Sequence, residues 1–259
     1  MRAVYYRVAV ALLAMAMCAT ACSQPEIRFE YLRLQVDGQA TLAISKKDVL
    51  VRGIVVFFHG TDQNEFSVTS SQPYQAMTEK LVDAGFVVVA SMAGGNAFTE
   101  PATLQNYREL GSMAMQHYRI ENTYFLADSM GAIPAMNLLA SGYSFVRGVV
   151  AINPALNFAS ATPDWPTLPA TVSNRAVPPM VSPVDLPLDS MQGRNLKFYA
   201  SPDDKVVSAD ANAIAFERRF GSVANISVVK CSGGQGDSSC GQGEDVAKWF
   251  TEMDQRPKP

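Results

Sequence analysis

A serine near the middle of the chain stands in a setting that could make it a nucleophile. Ser129 lies between the apolar run 123–126, which reads as a buried strand, and a helical stretch over 132–141. A serine on a sharp strand-to-helix turn presents its hydroxyl above the end of a sheet, and its neighbours two positions away must be small. Ala127 and Gly131 meet this requirement, although Ala127 stands where glycine is commoner. The segment therefore predicts a nucleophile elbow.

A second segment could stabilise negative charge beside that serine. The continuously apolar strand predicted over 53–58 ends in His59, Gly60 and Thr61. Gly60 allows the backbone to turn toward the site, so that the amide of Thr61 could join the amide of Met130 in an oxyanion hole. His59 is expected to hydrogen-bond this loop and support it rather than to act in catalysis.

A carboxylate follows a later predicted strand. The strand over 195–200 runs into a turn that contains Asp203 and Asp204. A carboxylate at the carboxyl end of such a strand could orient a catalytic base. We favour Asp204, which lies two residues before the apolar pair 206–207. The alternative is that both aspartates are solvated residues of a turn.

Taken together, these segments resemble the α/β-hydrolase superfamily over nearly the whole chain after its leader. They occur in the order that family uses, with the nucleophile first, then the acid, then the loop that carries the histidine. The resemblance implies that Ser129 is the nucleophile and Asp204 the orienting acid, and that Thr61 and Met130 supply the oxyanion hole. The segments that carry it are Phe57–Thr61, Ala127–Gly131, Ser201–Val206 and Ser232–Asp237.

The resemblance also implies a histidine at position 235, where this chain has Gln235. A glutamine amide can hydrogen-bond Asp204 on one side and Ser129 on the other, but it cannot accept the serine proton near neutral pH. In a serine protease, loss of the histidine alone costs on the order of 10⁶ in kcat. Binding and the oxyanion hole then leave roughly 10³ to 10⁴ over the reaction in water.

Three functional hypotheses follow from this substitution. The leading one is an exported serine hydrolase for an ester or acyl substrate, with activity that is weak or lost. The second is a non-catalytic, ligand-binding envelope lipoprotein built on the same scaffold. The third is an active enzyme in which Gln235 is an engineered or chance substitution.

The order of elements predicts an α/β fold with a mostly parallel sheet, an antiparallel N-terminal hairpin and helices on both faces. The hairpin comprises 26–36 and 40–44, joined by Asp37 and Gly38. Residues 22–259 are expected to form a single domain. After the hairpin, the predicted strands are 53–58, 86–92, 122–127, 146–152, 195–200 and 225–229, and the predicted helices are 73–84, 101–118, 131–141, 209–220 and 243–253.

Residues 154–193 interrupt this alternation with eight of the chain's 15 prolines. An insertion of that length is usually functional or mobile. It would leave the sheet at the carboxyl edge, where sites of α/β proteins form. One interpretation is a cap over the pocket, and the other is a surface loop packed for its own sake. The side chains expected to line a capped pocket are Trp165, Leu168, Met180 and Leu186.

The N-terminus predicts export. Residues 1–21 carry two arginines, then a short apolar stretch over 8–17 that is too short to cross a bilayer, and then the small residues 19–21. Cleavage by an ordinary signal peptidase would give a secreted protein. Alternatively, the segment that ends in Cys22 resembles a bacterial lipobox, and Cys22 would then carry a lipid anchor in the cell envelope.

The cysteine count favours the lipid anchor. After removal of the leader, the chain retains Cys22, Cys231 and Cys240, an odd number in an oxidising compartment. A disulfide between Cys231 and Cys240 would leave Cys22 over, and acylation would remove its free thiol. The alternative is that Cys231 and Cys240 are small buried residues.

Other partners and cofactors are not indicated. The net charge of −3 becomes −5 when Arg2 and Arg7 leave with the signal, which gives no electrostatic reason to bind nucleic acid. Residues 93–96 are glycine-rich but lack the spacing of a dinucleotide fingerprint. No metal-ligand spacing occurs among the two histidines, the cysteines and the carboxylates. We therefore expect no cofactor and no metal, a small ester or acyl substrate, and the membrane as the other partner.

Overall fold

The apolar strands of the sequence form the centre of an eight-stranded sheet. The computed structural model describes residues 29–143, 146–161 and 180–257. The strands are β1 (Phe29–Val36), β2 (Gln39–Lys46), β3 (Gly53–Phe58), β4 (Phe86–Ser91), β5 (Thr123–Asp128), β6 (Val146–Ile152), β7 (Asn195–Ala200) and β8 (Asn225–Lys230). The helices are α1 (Ser67–Ser70), α2 (Tyr74–Asp83), α3 (Pro101–Tyr118), α4 (Ala132–Ala140), α5 (Ala215–Phe220) and α6 (Gly243–Gln255).

The strand order across the sheet is β1-β2-β4-β3-β5-β6-β7-β8. The first two strands form the predicted antiparallel hairpin, and the six strands β3 to β8 run parallel to one another. Asp37 and Gly38 have φ angles of 50° and 73°, as a tight two-residue hairpin turn requires. The parallel strands all end at one edge of the sheet, which is where the loops that carry the predicted site emerge.

Strand β3 shows why the central strands are apolar without alternation. Ile54, Val56 and Phe58 face the core under α3, α4 and α5, whereas Val55 and Phe57 face the core under α2 and α6. All five side chains are buried because helices cover both faces of the sheet. The predicted fold class is therefore confirmed.

Two local features differ from the sequence prediction. The four-residue helix α1 was not predicted, since it is too short to show an apolar period. The helix predicted over 209–220 begins with a wider π-helical turn over Asp210–Ile214 before α5. The buried Asn212 lies in that turn and accepts hydrogen bonds from the amides of Leu156 and Asn157. The wider turn thus places a polar side chain at the start of the proline-rich insertion. Such π-helical turns are frequent at functional sites.

The structure describes the two ends of the proline-rich insertion, residues 154–161 and 180–193. At the second of these ends, the Asn137 side chain on α4 accepts from the Val181 amide at 3.0 Å and donates to the Val181 carbonyl at 2.9 Å. Met180 is buried in a cluster that includes Met130, whereas Leu186 packs into the core under α3, α4 and α5. Trp165 and Leu168 lie outside the described residues. Among the described helices, none is long and apolar enough to cross a membrane.

Candidate active site

Ser129 occupies a strained position at the end of β5. Its φ angle of 47° lies in the left-handed region that non-glycine residues rarely adopt, and the chain turns there directly into a short 3₁₀ turn and α4. A Cβ atom on Gly131 would lie 2.6 Å from the carbonyl oxygen of His59 and closer still to that of Phe58. Only glycine allows the elbow to approach β3 this closely, so the sequence requirement for a small residue has a direct structural cause.

The loop after β3 is held by hydrogen bonds on both sides. The ring nitrogens of His59 lie 2.8 Å from the Gly60 carbonyl oxygen and 2.9 Å from that of Met92, which matches the supporting role expected of this buried histidine. The amides of residues 59, 60, 62 and 63 all have acceptors. Within the described part of the chain, the Thr61 amide has none. It is therefore free to donate to a ligand.

Burial distinguishes the two candidate acids after β7. Asp203 is exposed, whereas the Asp204 side chain is buried. Asp204 Oδ1 accepts from the amides of Val206 and Val207 at 2.8 and 2.9 Å. Burial raises the pKa of Asp204, and the two amide hydrogen bonds oppose that rise. Its Oδ2 is buried and has no partner among the described residues, so one acceptor of this carboxylate is available to a donor.

Gln235 lies in a loop closed by the predicted disulfide, and the Cys231–Cys240 bond is present. The side chain of Gln235 is half-buried, and its Oε1 is buried without a hydrogen-bond partner in the described residues. Gln235 thus leaves its side-chain carbonyl oxygen unpaired among the described residues. The disulfide ties the loop to the end of β8.

Asn153 joins the loops of three strands, a role that the sequence analysis missed. It follows β6 with a φ of 39°, and its Oδ1 accepts from the Ser201 amide at 3.1 Å and lies 3.5 Å from the Cys240 sulfur. Ser201 in turn donates from its hydroxyl to the Gly233 carbonyl at 2.5 Å. Asp204 and Gln235 are therefore carried on loops that are bonded to each other. The signal for Asn153 was its place as the first polar residue after a buried strand.

The elbow at Ser129 is hydrogen-bonded to another loop at the carboxyl edge of the sheet. The Ser129 carbonyl oxygen accepts from the Ala155 amide at 3.0 Å, which ties the elbow to the loop after β6. Met130 belongs to an apolar cluster that also includes Val207, next to the acid loop. The other buried members of this cluster are Phe98, Ile133, Ala155 and Met180. This apolar cluster packs the elbow against the acid loop and the second end of the proline-rich insertion.

The remaining candidates for chemistry lie elsewhere. His117 is exposed on α3 with its ring against Tyr118. Within residues 29–143, 146–161 and 180–257, no group of three or more histidine, cysteine or carboxylate side chains could hold a metal ion. The described site therefore offers a serine hydroxyl, a free backbone amide, a buried carboxylate and a glutamine amide.

No protein-family model matches the sequence, and a sequence comparison with curated proteins finds no match. Solved structures do resemble the fold. Est1E from Butyrivibrio proteoclasticus matches 87% of this chain and 99% of its own with a TM-score of 0.63 and 15% identity. Another structure of Est1E has ferulic acid bound.

Two further solved structures are similar over most of the chain. The esterase Pf2001 from Pyrococcus furiosus has a TM-score of 0.66 at 14% identity, covering 89% of this chain and 94% of its own. The fluorophosphonate-binding serine hydrolase FphF from Staphylococcus aureus, with substrate bound, has a TM-score of 0.64 at 13% identity, covering 88% and 98%. The chain thus has the α/β-hydrolase fold that its motifs led us to expect.

Proposed function

We propose that this protein is a serine hydrolase for an ester or acyl substrate, with Ser129 as nucleophile and with turnover that is weak or lost. The observation that carries the proposal is the left-handed backbone of Ser129, which Gly131 makes possible. Strain at a single residue persists when the surrounding structure enforces it, and it is typical of functional sites. The solved esterases of similar fold add support at the level of the fold.

Weak turnover follows from the chemistry of position 235. Asp204 keeps a buried, unpaired oxygen that an imidazole N–H could bond, and the Thr61 amide is available to an oxyanion. Gln235 supplies no group that can take the serine proton near neutral pH. Ser129 would therefore attack an ester only slowly. The preserved serine and acid favour a recent change at position 235 over a site that has long been idle.

A ligand-binding protein is the second candidate function. The Gln235 Oε1 and the Thr61 amide, both unpaired among the described residues, favour it, because a ligand could hydrogen-bond to both without any proton transfer. In this alternative, Gln235 contributes hydrogen bonds to the ligand, and Ser129 has no covalent role.

Labelling with a fluorophosphonate probe separates the two candidates. We expect wild-type protein to acquire the probe slowly, with the adduct mapped by peptide mass to Ser129, because the elbow and oxyanion donors still activate attack. The Ser129→Ala variant is the matched control and should acquire none. A folded wild-type protein that binds p-nitrophenyl butyrate but never labels would establish the binding protein instead.

We also propose that the protein is exported and anchored in the bacterial envelope through a lipid on Cys22. The odd cysteine count supports this, because the Cys231–Cys240 bond leaves Cys22 over. The Cys22→Ser variant should move from the membrane fraction to the soluble fraction and lose the mass of its acyl groups. Ordinary secretion is correct if wild-type protein is already soluble and begins at an unmodified Cys22.

A further inference from the structure

The residue before the candidate nucleophile carries a buried carboxylate that the proposed reaction does not use. Asp128 is 5% exposed and accepts a hydrogen bond from Gln63 Nε2 at 2.7 Å on its Oδ2. Tyr74, at the start of α2, also hydrogen-bonds this carboxylate. A buried charge needs such partners, since desolvation without them is expensive. The sequence analysis assigned Asp128 no function.

Gln63 also makes two hydrogen bonds to Gly60, the residue before the candidate oxyanion donor Thr61. The side-chain Oε1 of Gln63 accepts from the Gly60 backbone amide at 3.0 Å. The backbone amide of Gln63 donates to the Gly60 carbonyl at 3.3 Å. A Cβ atom on Gly60 would lie 2.5 Å from Asp128 Oδ2, so the carboxylate lies directly against this backbone. Asp128, Gln63 and Gly60 form one connected relay that ends next to the free amide of Thr61.

We infer that Asp128 is a positioning residue for the oxyanion hole, acting through Gln63 and Gly60 to fix the direction of the Thr61 amide. This inference rests on the proposed function, since the aim of that amide matters only if charge develops at Ser129. A backbone donor stabilises an oxyanion best when its direction is set before the charge appears. The relay sets that direction from Asp128, the last residue of β5 and the neighbour of Ser129.

The relay requires the charged form of Asp128, because both of its side-chain partners act as donors. Burial raises the pKa of Asp128 to about 6, and the hydrogen bonds from Tyr74 and Gln63 oppose the rise. Burial also raises the pKa of Tyr74 well above its ordinary value, so the phenol remains a donor. His59 faces the carbonyls of Gly60 and Met92 rather than this carboxylate. Protonation of Asp128 should therefore loosen the Thr61 loop as the pH falls through about 6.

Two variants test the relay by turnover in a Gln235→His background. Asp128→Asn places an amide group against two donors, and Gln63→Leu removes the link while leaving the carboxylate. Each should lower kcat for p-nitrophenyl butyrate by about tenfold with little change in KM, less than the 10² to 10³ typical of deleting an oxyanion donor. The double variant should lose no more than the larger single loss, since residues of one relay are not additive.

The Thr61 amide provides a readout that needs no activity. In folded wild-type protein, its ¹H–¹⁵N chemical shift should titrate with a midpoint near pH 6, the pKa of Asp128. The shift should become flat in Asp128→Asn and lose most of its amplitude in Gln63→Leu. Asp203→Asn, at an exposed aspartate outside the relay, is the matched control and should titrate like wild type.

The outcomes separate this inference from the proposed function. Titration that persists unchanged in Asp128→Asn, or variants that lower kcat additively, would overturn the relay. If Gln235→His hydrolyses no ester, the proposed function fails, and the oxyanion role fails with it even where the Thr61 titration is present. Normal turnover of Asp128→Asn in an active Gln235→His background defeats the relay alone.

Discussion

Replacing Gln235 by histidine should raise hydrolysis of p-nitrophenyl acetate or butyrate by at least about a hundredfold. The reason is that the proposed function lacks only a proton acceptor, which the histidine would supply. Ser129 is held on its elbow, and Asp204 Oδ2 is buried without a partner among the described residues, ready to accept an imidazole N–H. General-base catalysis by a positioned side chain typically contributes 10² to 10⁴.

The increase must depend on the other members of the site. It should vanish in Ser129→Ala/Gln235→His and shrink strongly in Asp204→Asn/Gln235→His, because a base without its nucleophile or orienting acid does little. Asp203→Asn, at the exposed neighbouring aspartate, serves as the matched control and should keep the full increase. If Gln235→His remains folded yet stays at background with esters of several chain lengths, the site serves binding.

Substituting Gly131 by alanine should lower the free energy of unfolding by about 3 kcal/mol. The added Cβ would meet the backbone carbonyl oxygens of Phe58 and His59, which belong to the end of a central strand and its following loop. Forcing atoms into a filled site typically costs 1–3 kcal/mol, and backbone cannot move aside as a flexible side chain can. Urea unfolding followed by circular dichroism measures the loss.

Gly234→Ala is the matched control for that substitution, because a Cβ there would meet nothing within 4 Å. Its unfolding free energy should stay within about 0.5 kcal/mol of wild type, as for other surface changes. Equal stabilities of the two variants would show that the elbow does not depend on a close approach to β3.

The fold was predictable because its sequence signals are local and strong. A continuously apolar strand such as 53–58 can be buried only between two layers of helices, and the Asp37–Gly38 turn fixes the hairpin before it. The motif around Ser129 was predictable for the same reason, because a small residue at position 131 indicates that the turn lies close to neighbouring backbone. The disulfide followed from the short separation of Cys231 and Cys240.

The connections within the site were not predictable, because they are made by neutral polar side chains from distant segments. Asn153 accepts from the Ser201 amide and Gln63 donates to Asp128, and these partners are remote in sequence, so local patterns do not identify them. Asp128 was assigned no role, because nothing in the sequence shows that its carboxylate is buried. Leu186 was assigned to the pocket because an apolar side chain in an insertion has no local signal that distinguishes lining from core.

The central claim is that Ser129 is a nucleophile whose only missing partner is a base at position 235. The most direct measurement is to mix Gln235→His with p-nitrophenyl butyrate, quench in acid within the first turnover and locate the acyl group by peptide mass. We predict a butyryl adduct on Ser129 that is absent from Ser129→Ala/Gln235→His. Ester hydrolysis by the folded double variant at the rate of Gln235→His, with no adduct on Ser129 in either protein, would contradict the account.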